Sequence, residues 1–353
     1  LSKNKLKLLI GASSSKIFHL KEFAKNLEKY DIETKVVFDV DYADGFPSRR
    51  MGKWFGANNK FKKLINDFKP DLILVDRQRH FGLEAAKTDI PLLVHLRGNY
   101  WKEIEMAKKT IYSSPPKKIA INKWDEIGRK CFEGAEKILP ICKHLENVVK
   151  EHYPNKTTDV MYQGINPDNW FEGKQMKLKH PCVGLVQGAV IFEKTQELLT
   201  LIDVLEKMPE VTFYWVGDGP YRDTVLPKLE KFDNFKWLGA LNYPEKIRDF
   251  LTEIDVYALL SGIDMSPLTL LEAQLMKKPV IATNVGGIPE IIQNNKTGIL
   301  IPSENKQMMI NAINNLIEND LQVERLTTNA FNFINEFYSW DELLPKYVEL
   351  YEK

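Results

Sequence analysis

Short apolar runs alternate along this chain with longer stretches in which apolar residues recur at helical spacing. The runs are Leu6 to Gly11, Lys35 to Val40, Asp71 to Asp76, Leu92 to Leu96, Lys137 to Ile141 and Asp159 to Gln163, followed by Cys182 to Val186, Thr212 to Val216, Phe235 to Leu238, Val256 to Leu260 and Pro279 to Thr283. Runs of this length, each followed by a helical period, predict parallel strands covered by helices. The alternation breaks between Asn166 and His180, where prolines, glycines and charges crowd together. The expected fold class is therefore α/β, with two doubly wound, Rossmann-like domains facing a cleft. The first spans 1–172 and the second 173–332. Ligands of such sheets bind beyond the carboxyl ends of the strands.

The segment from Ser261 to Glu290, SGIDMSPLTLLEAQLMKKPVIATNVGGIPE, carries the strongest chemical signal. It places Asp264 and Glu272 across a loop-to-helix junction. Ser266 suits an N-cap and Pro267 the first helical position, where its missing N–H costs nothing, so a helix is expected from Pro267 to Met276. Free N–H groups and the positive end of the helix dipole then face whatever sits before Ser266, an arrangement suited to phosphate or sugar hydroxyls.

The two acids, followed in order by LLEA, KKPVIAT and GGIPE, resemble the E-x7-E signature of the family-4 retaining glycosyltransferases, with Asp264 in place of the first Glu. The resemblance implies the GT-B architecture and a nucleoside-diphosphate sugar as donor. It gives Glu272 the ribose hydroxyls and makes Asp264, Met265, Ser266 and Leu268 contacts of the hexose and diphosphate. Gly188 to Lys194 aligns with the family's G-R-L-x-x-x-K segment, so Lys194 is expected to share the diphosphate charge, while Ala189 stands where the family has an arginine. Gly217, in Val216-Gly217-Asp218-Gly219-Pro220, lets backbone approach the nucleotide, and Leu241 borders the base. In the first domain, Ser14 and Ser15 replace a family Gly-Gly and His19 keeps its place. His95 matches a histidine at the sugar edge and joins Asp264 and Lys194 as a catalytic candidate. Arg77 and Arg97, at two strand ends, are expected to meet an anionic group. The closing stretch, 333–353, resembles the family's terminal helix, which returns to the first domain.

Charge adds an asymmetry to this picture. Residues 1–176 hold 32 Lys and Arg against 23 Asp and Glu, and the remainder holds 17 against 25, so the halves carry about +9 and −8. Either the lysine-rich helices are simply solvated, or the basic half faces a phosphorylated acceptor or an anionic membrane surface. No nucleic-acid partner is expected. Cys131, Cys142 and Cys182 lack C-x-x-C spacing and read as buried or free thiols in a reducing cytoplasm. No stretch has the apolar length of a membrane span or of a signal peptide, so the expected location is cytoplasmic, with a peripheral place on the inner membrane face allowed by the basic half.

The expected reaction is hexose transfer to a hydroxyl of a glycan, a lipid-linked precursor or a small molecule, with retention and without an obligatory metal or cofactor. Asp39-Val40-Asp41 imitates the D-x-D metal site of another glycosyltransferase architecture but lacks a second carboxylate set. Residues 39–59 read instead as a long loop suited to acceptor or membrane contact. Three other readings stand beside the transferase: a nucleotide-sugar epimerase of the same architecture, a phosphorylase, which normally needs a far longer chain, and a silent module that binds the donor without turnover.

Overall fold

The computed structural model describes residues 5–13, 17–48, 52, 54 and 59–352. The chain divides into two compact units, Leu1–Tyr162 with Leu343–Lys353, and Gln163–Glu342. Residues 166–180, expected to carry the boundary, therefore lie inside the second unit.

The first unit holds β1 (Leu6–Ala12), β2 (Ile32–Phe38), β3 (Leu72–Val75), β4 (Leu92–Leu96) and β5 (Lys137–Pro140) in one parallel sheet of order β2-β1-β3-β4-β5. β3 and β4 are buried throughout and apolar except for His95, because helices cover both faces. The topology reverses between β1 and β3, which makes the loops after these strands the natural ligand crevice. At that point Asp76 accepts the Ser13 N–H at 2.9 Å and the Ser13 hydroxyl at 3.1 Å.

The sequence expectation differs from the structure in three places here. β2 begins at Ile32, and Asp39–Tyr42 turns into a single helical turn, in which Asp39 Oδ1 accepts the Val40 N–H at 2.7 Å. That local bond competes with ladder pairing. Asp159 to Gln163 runs beside β5 through Asp159 N–H to Ile138 O and Met161 N–H to Pro140 O, too few bonds to make a strand. The closing helix is broken at Ser339, whose extended backbone separates Asp320–Tyr338 from Trp340–Glu352. In the latter, Tyr347 donates to Tyr162 O at 2.8 Å and packs edge-on against Phe23.

The second unit holds β6 (Cys182–Val186), β7 (Thr212–Val216), β8 (Phe235–Gly239), β9 (Val256–Leu259), β10 (Val280–Thr283) and β11 (Ile299–Ile301), all parallel, in the order β11-β10-β9-β6-β7-β8. This is the Rossmann order, with the switch point between β6 and β9. β11 escapes a sequence reading because three residues are too few to show alternation. Helices on both faces close an apolar core around Trp215, Phe213, Leu201 and Leu260, and Trp215 Nε1 donates to Gln187 O at 2.9 Å. Burying the ring and bonding its N–H seats the end of β6 against β7.

Candidate active site

The switch point of the second unit gathers the residues that follow β6 and β9. Gln187, first after β6, donates through Nε2 to Lys194 O at 3.0 Å and to Leu260 O at 2.6 Å. One buried amide thus ties the short helix Phe192–Gln196 to the end of β9. Lys194 then reaches across to Asp264 and donates to its Oδ2 in an ion pair, with the side chains 16% and 13% exposed. Asp264 Oδ1 accepts the Met265 N–H at 3.1 Å, and its carbonyl accepts the Gly287 N–H at 3.0 Å. Gly286 makes that approach possible. Its φ is +56°, and a Cβ there would lie 2.0 Å from Asp264 O.

The helix beyond Asp264 runs Leu268–Leu275, with Pro267 as its N-cap in extended conformation. Ser266 is therefore not the cap. Its hydroxyl is buried and finds no hydrogen-bond partner among the described residues. The helix starts one residue later than expected because Pro267 is itself extended, with ψ at 112°, and so takes the capping position. Met265 is buried, whereas Leu268 is half-buried. Four residues into the helix, Glu272 is 1% exposed and accepts the Tyr243 hydroxyl at Oε1, 3.0 Å away. Tyr257 lies beneath both acids and donates to Val186 O at 3.2 Å. Burial raises its phenol well above the ordinary range, and the Glu272 and Asp264 carboxylates add to the rise.

Gly188 and Gly217 occupy neighbouring loops. A Cβ on Gly217 would lie 2.0 Å from Gln187 O, so the two loop backbones touch. Leu241 is half-buried beyond β8. Ala189 is fully buried, packed with the core, and bonded on both sides to the loop after β7: its N–H donates to Asp218 O and its carbonyl accepts from Tyr221 N–H, both at 3.0 Å. The side chain exposed by this loop is instead Val190, at 60%. A cation stands nearby on the partner loop: Arg222 pairs with Asp218 and Asp223 and lies over the Trp237 ring. Tyr243, Gln187 and Arg222 were not singled out from sequence. Gln187 follows an apolar strand, a weak signal, and Tyr243 offered none.

In the first unit, Arg77 and Arg97 follow β3 and β4 and sit with Asp76. Burial lowers the Arg97 guanidinium to about 10, the Asp76 carboxylate opposes that, and Arg77 adds to it. His95 lies inside β4. Its Nε2 is 3.2 Å from Met161 O, and Nδ1 is buried without a partner among the described residues. Burial drops its pKa to about 3, with Arg97 adding to the fall, so the ring is neutral. His19 is half-buried on the helix Ile17–Leu27. Ser14 and Ser15 lie outside the described residues. Asp39 is buried and Asp41 exposed, so these carboxylates do not converge as a D-x-D pair would.

Comparison with known proteins agrees with this geometry. Residues 185–319 match the family described as glycosyl transferases group 1. An uncharacterized glycosyltransferase of Methanocaldococcus jannaschii is 26% identical over 236 residues, which cover 64% of this chain and 63% of that protein, less than two thirds of its length. The poly(ribitol-phosphate) alpha-N-acetylglucosaminyltransferase of Staphylococcus aureus is 26% identical over 343 residues, 92% of this chain and 68% of that one. The solved structure of HepE from Anabaena in complex with UDP-glucose superposes with a TM-score of 0.71 at 18% identity, covering 98% of this chain and 99% of that one. The two parallel sheets and the likeness to solved structures give the chain the GT-B fold, and its residues 185–319 are similar to the group 1 glycosyltransferases.

Proposed function

We propose that the chain is a retaining, metal-independent hexosyltransferase of family 4, which moves a sugar from a nucleoside-diphosphate donor to a hydroxyl acceptor. The observation that carries this reading is the pairing of Lys194 with Asp264 at the switch point, one cation and one carboxylate held in register by Gln187 and Gly286. A donor diphosphate takes the Lys194 charge, and Asp264 is released to accept a sugar hydroxyl. Glu272 accepts the ribose hydroxyls, oriented by Tyr243. The N-terminus of Leu268–Leu275 adds N–H donors to the diphosphate. His95, neutral and with Nδ1 available, accepts from a sugar or acceptor hydroxyl. The departing phosphate takes the acceptor's proton on the same face, so positioning and charge stabilisation supply the rate.

The acceptor reading rests on charge. The first half is basic, Arg77 and Arg97 flank its switch point, and the Staphylococcus relative's name carries a poly(ribitol-phosphate). We assign the first unit a phosphorylated glycan, a lipid-linked precursor or a similar anionic molecule, on or near a membrane. Among the described residues no helix is long and apolar enough to cross one.

A second reading, a donor-binding module without turnover, is favoured by one observation: Ala189 is packed in the core where the family has its arginine. Incubation with a panel of labelled nucleotide sugars and candidate acceptors, read by mass spectrometry, separates the two. Transfer supports the enzyme, epimerisation identifies a related activity, and binding without turnover of any donor overturns the transferase.

A further inference from the structure

The amino ends of the central strands β6 and β9 hold a second cluster, at the end of the sheet opposite Lys194. His180 Nδ1 is 2.8 Å from Asp255 Oδ2 and 3.7 Å from Cys182 Sγ, and its Nε2 is 3.1 Å from Glu253 Oε1. One nitrogen, one sulfur and one oxygen, from His180, Cys182 and Asp255, all lie within 4.8 Å of one another.

We propose that His180, Cys182 and Asp255 bind a zinc-type divalent cation, with water in the fourth position. Three arguments carry this. First, a tetrahedral ion with bonds of about 2.0 to 2.3 Å needs its ligand atoms roughly 3.3 to 3.8 Å apart, a spacing these side chains reach with small movements. Second, a ligating histidine usually has its other ring nitrogen bound to a carboxylate that fixes the tautomer, and Glu253 is placed to do this. Third, the charges of the cluster are in negative excess. The Cys182 thiolate, Asp255 and Glu253, with Glu172 near by, outnumber the one positive charge, Lys278, whose Nζ donates to Thr252 O at 2.8 Å beside them, so the surroundings favour a dication. Binding displaces the thiol proton to solvent. His180 is 41% exposed and leaves an entry path.

The site is structural. The segment before β6 is already strapped to the helix Glu245–Glu253 through Gly173 N–H to Thr252 Oγ1, Lys174 N–H to Asp249 Oδ1 and Met176 N–H to Glu253 Oε2. An ion on His180 and Cys182 ties the end of that segment to β9. Glycosyl transfer is not routed through it.

Cobalt(II) added to the chelator-treated full chain tests the assignment. One equivalent should produce a thiolate-to-cobalt charge-transfer band in the near ultraviolet, and zinc should raise the melting temperature. Cys182→Ser and His180→Ala should each remove the band, whereas Cys131→Ser and Cys142→Ser keep it. Glu253→Gln should weaken cobalt binding about 10- to 100-fold. Absence of the band in the parent, or its survival in Cys182→Ser, overturns the site. His180 is exposed, so its variant remains informative if Cys182→Ser fails to fold.

Discussion

Lys194 and Asp264 stand 70 positions apart in the chain and share one ion pair that is largely closed to water. A buried pair is weak evidence of stability, but breaking one is costly because the remaining charge is left uncompensated. Lys194→Ala should therefore lose about 3 to 5 kcal/mol of stability and nearly all turnover. Chemical denaturation of Lys194→Ala, Asp264→Ala and the double variant checks the coupling. The double variant should be far less destabilised than the two singles added together, and strict additivity would mean that the pair is not formed.

The same pair predicts a split in ligand binding. Asp264→Ala should leave the affinity for the free nucleoside diphosphate intact and impair the nucleotide sugar, if its carboxylate meets the hexose as proposed. Calorimetry with both ligands decides, and equal losses would make Asp264 structural.

Glu272 and Tyr243 make a graded prediction. Removing the carboxylate in Glu272→Ala should weaken nucleotide binding by about 1.5 to 3 kcal/mol, the range for hydrogen bonds to a charged group. Tyr243→Phe removes one neutral donor to Oε1 and should cost about 0.5 to 1.5 kcal/mol. A larger loss in Tyr243→Phe than in Glu272→Ala would reverse the assigned roles.

The arginine missing at Ala189 must be compensated if the chain turns over. Arg222, on the loop bonded to Ala189, is the candidate within the second unit. Arg222→Ala should lower kcat more than it raises KM, as an interaction made mainly in the transition state does. A parental kcat in Arg222→Ala would remove the compensation idea. Ala189→Arg should destabilise the fold, since it forces a long cation into a packed core.

His95 links stability to pH. Its folded pKa, about 3, lies below the unfolded value of 6.5, so between these values the unfolded chain binds more protons. Stability is then full above about pH 6.5 and falls as the pH drops toward 3. His80, lowered by burial in the same direction, contributes with the same sign. Denaturation midpoints across this range should show a shallower acid limb in His95→Gln, and an unchanged slope would mean that the ring titrates normally.

The basic half predicts attachment to anionic surfaces. Lys108, Lys109, Lys117 and Lys118 flank Ile111 and Ile119, which are 45% and 63% exposed, and Phe46 packs on Trp54 in the loop considered for insertion. Arg49, Arg50 and Phe55 of that loop lie outside the described residues. Each basic residue near an anionic bilayer contributes about 1 kcal/mol, screened within about 8 Å at physiological salt. Co-sedimentation should appear with anionic vesicles, vanish with neutral ones and weaken steeply as salt rises. Equal recovery in the supernatant with both would point to an acceptor free in solution.

The sequence by itself determined most of the strands and the chemistry of one junction. Cys182 to Val186, Thr212 to Val216 and Leu92 to Leu96 are apolar at every or nearly every position because a parallel strand under helices is buried on both faces, and that pattern is local. Asp264 and Glu272 were legible because the loop, helix and following strand that place them are continuous in the chain. Tertiary structure alone decided what these residues touch. Lys194 meets Asp264, and Tyr243 meets Glu272, only because the winding of the sheet brings the loops after β6, β8 and β9 together. The same holds for Ala189, whose alignment suggested a ligand position and whose methyl packs into the core, and for His180, Cys182 and Asp255, which the parallel register of β6 and β9 gathers from opposite sides of 73 residues of chain. Burial and cross-strand pairing depend on residues distant in the chain, and no local periodicity encodes them.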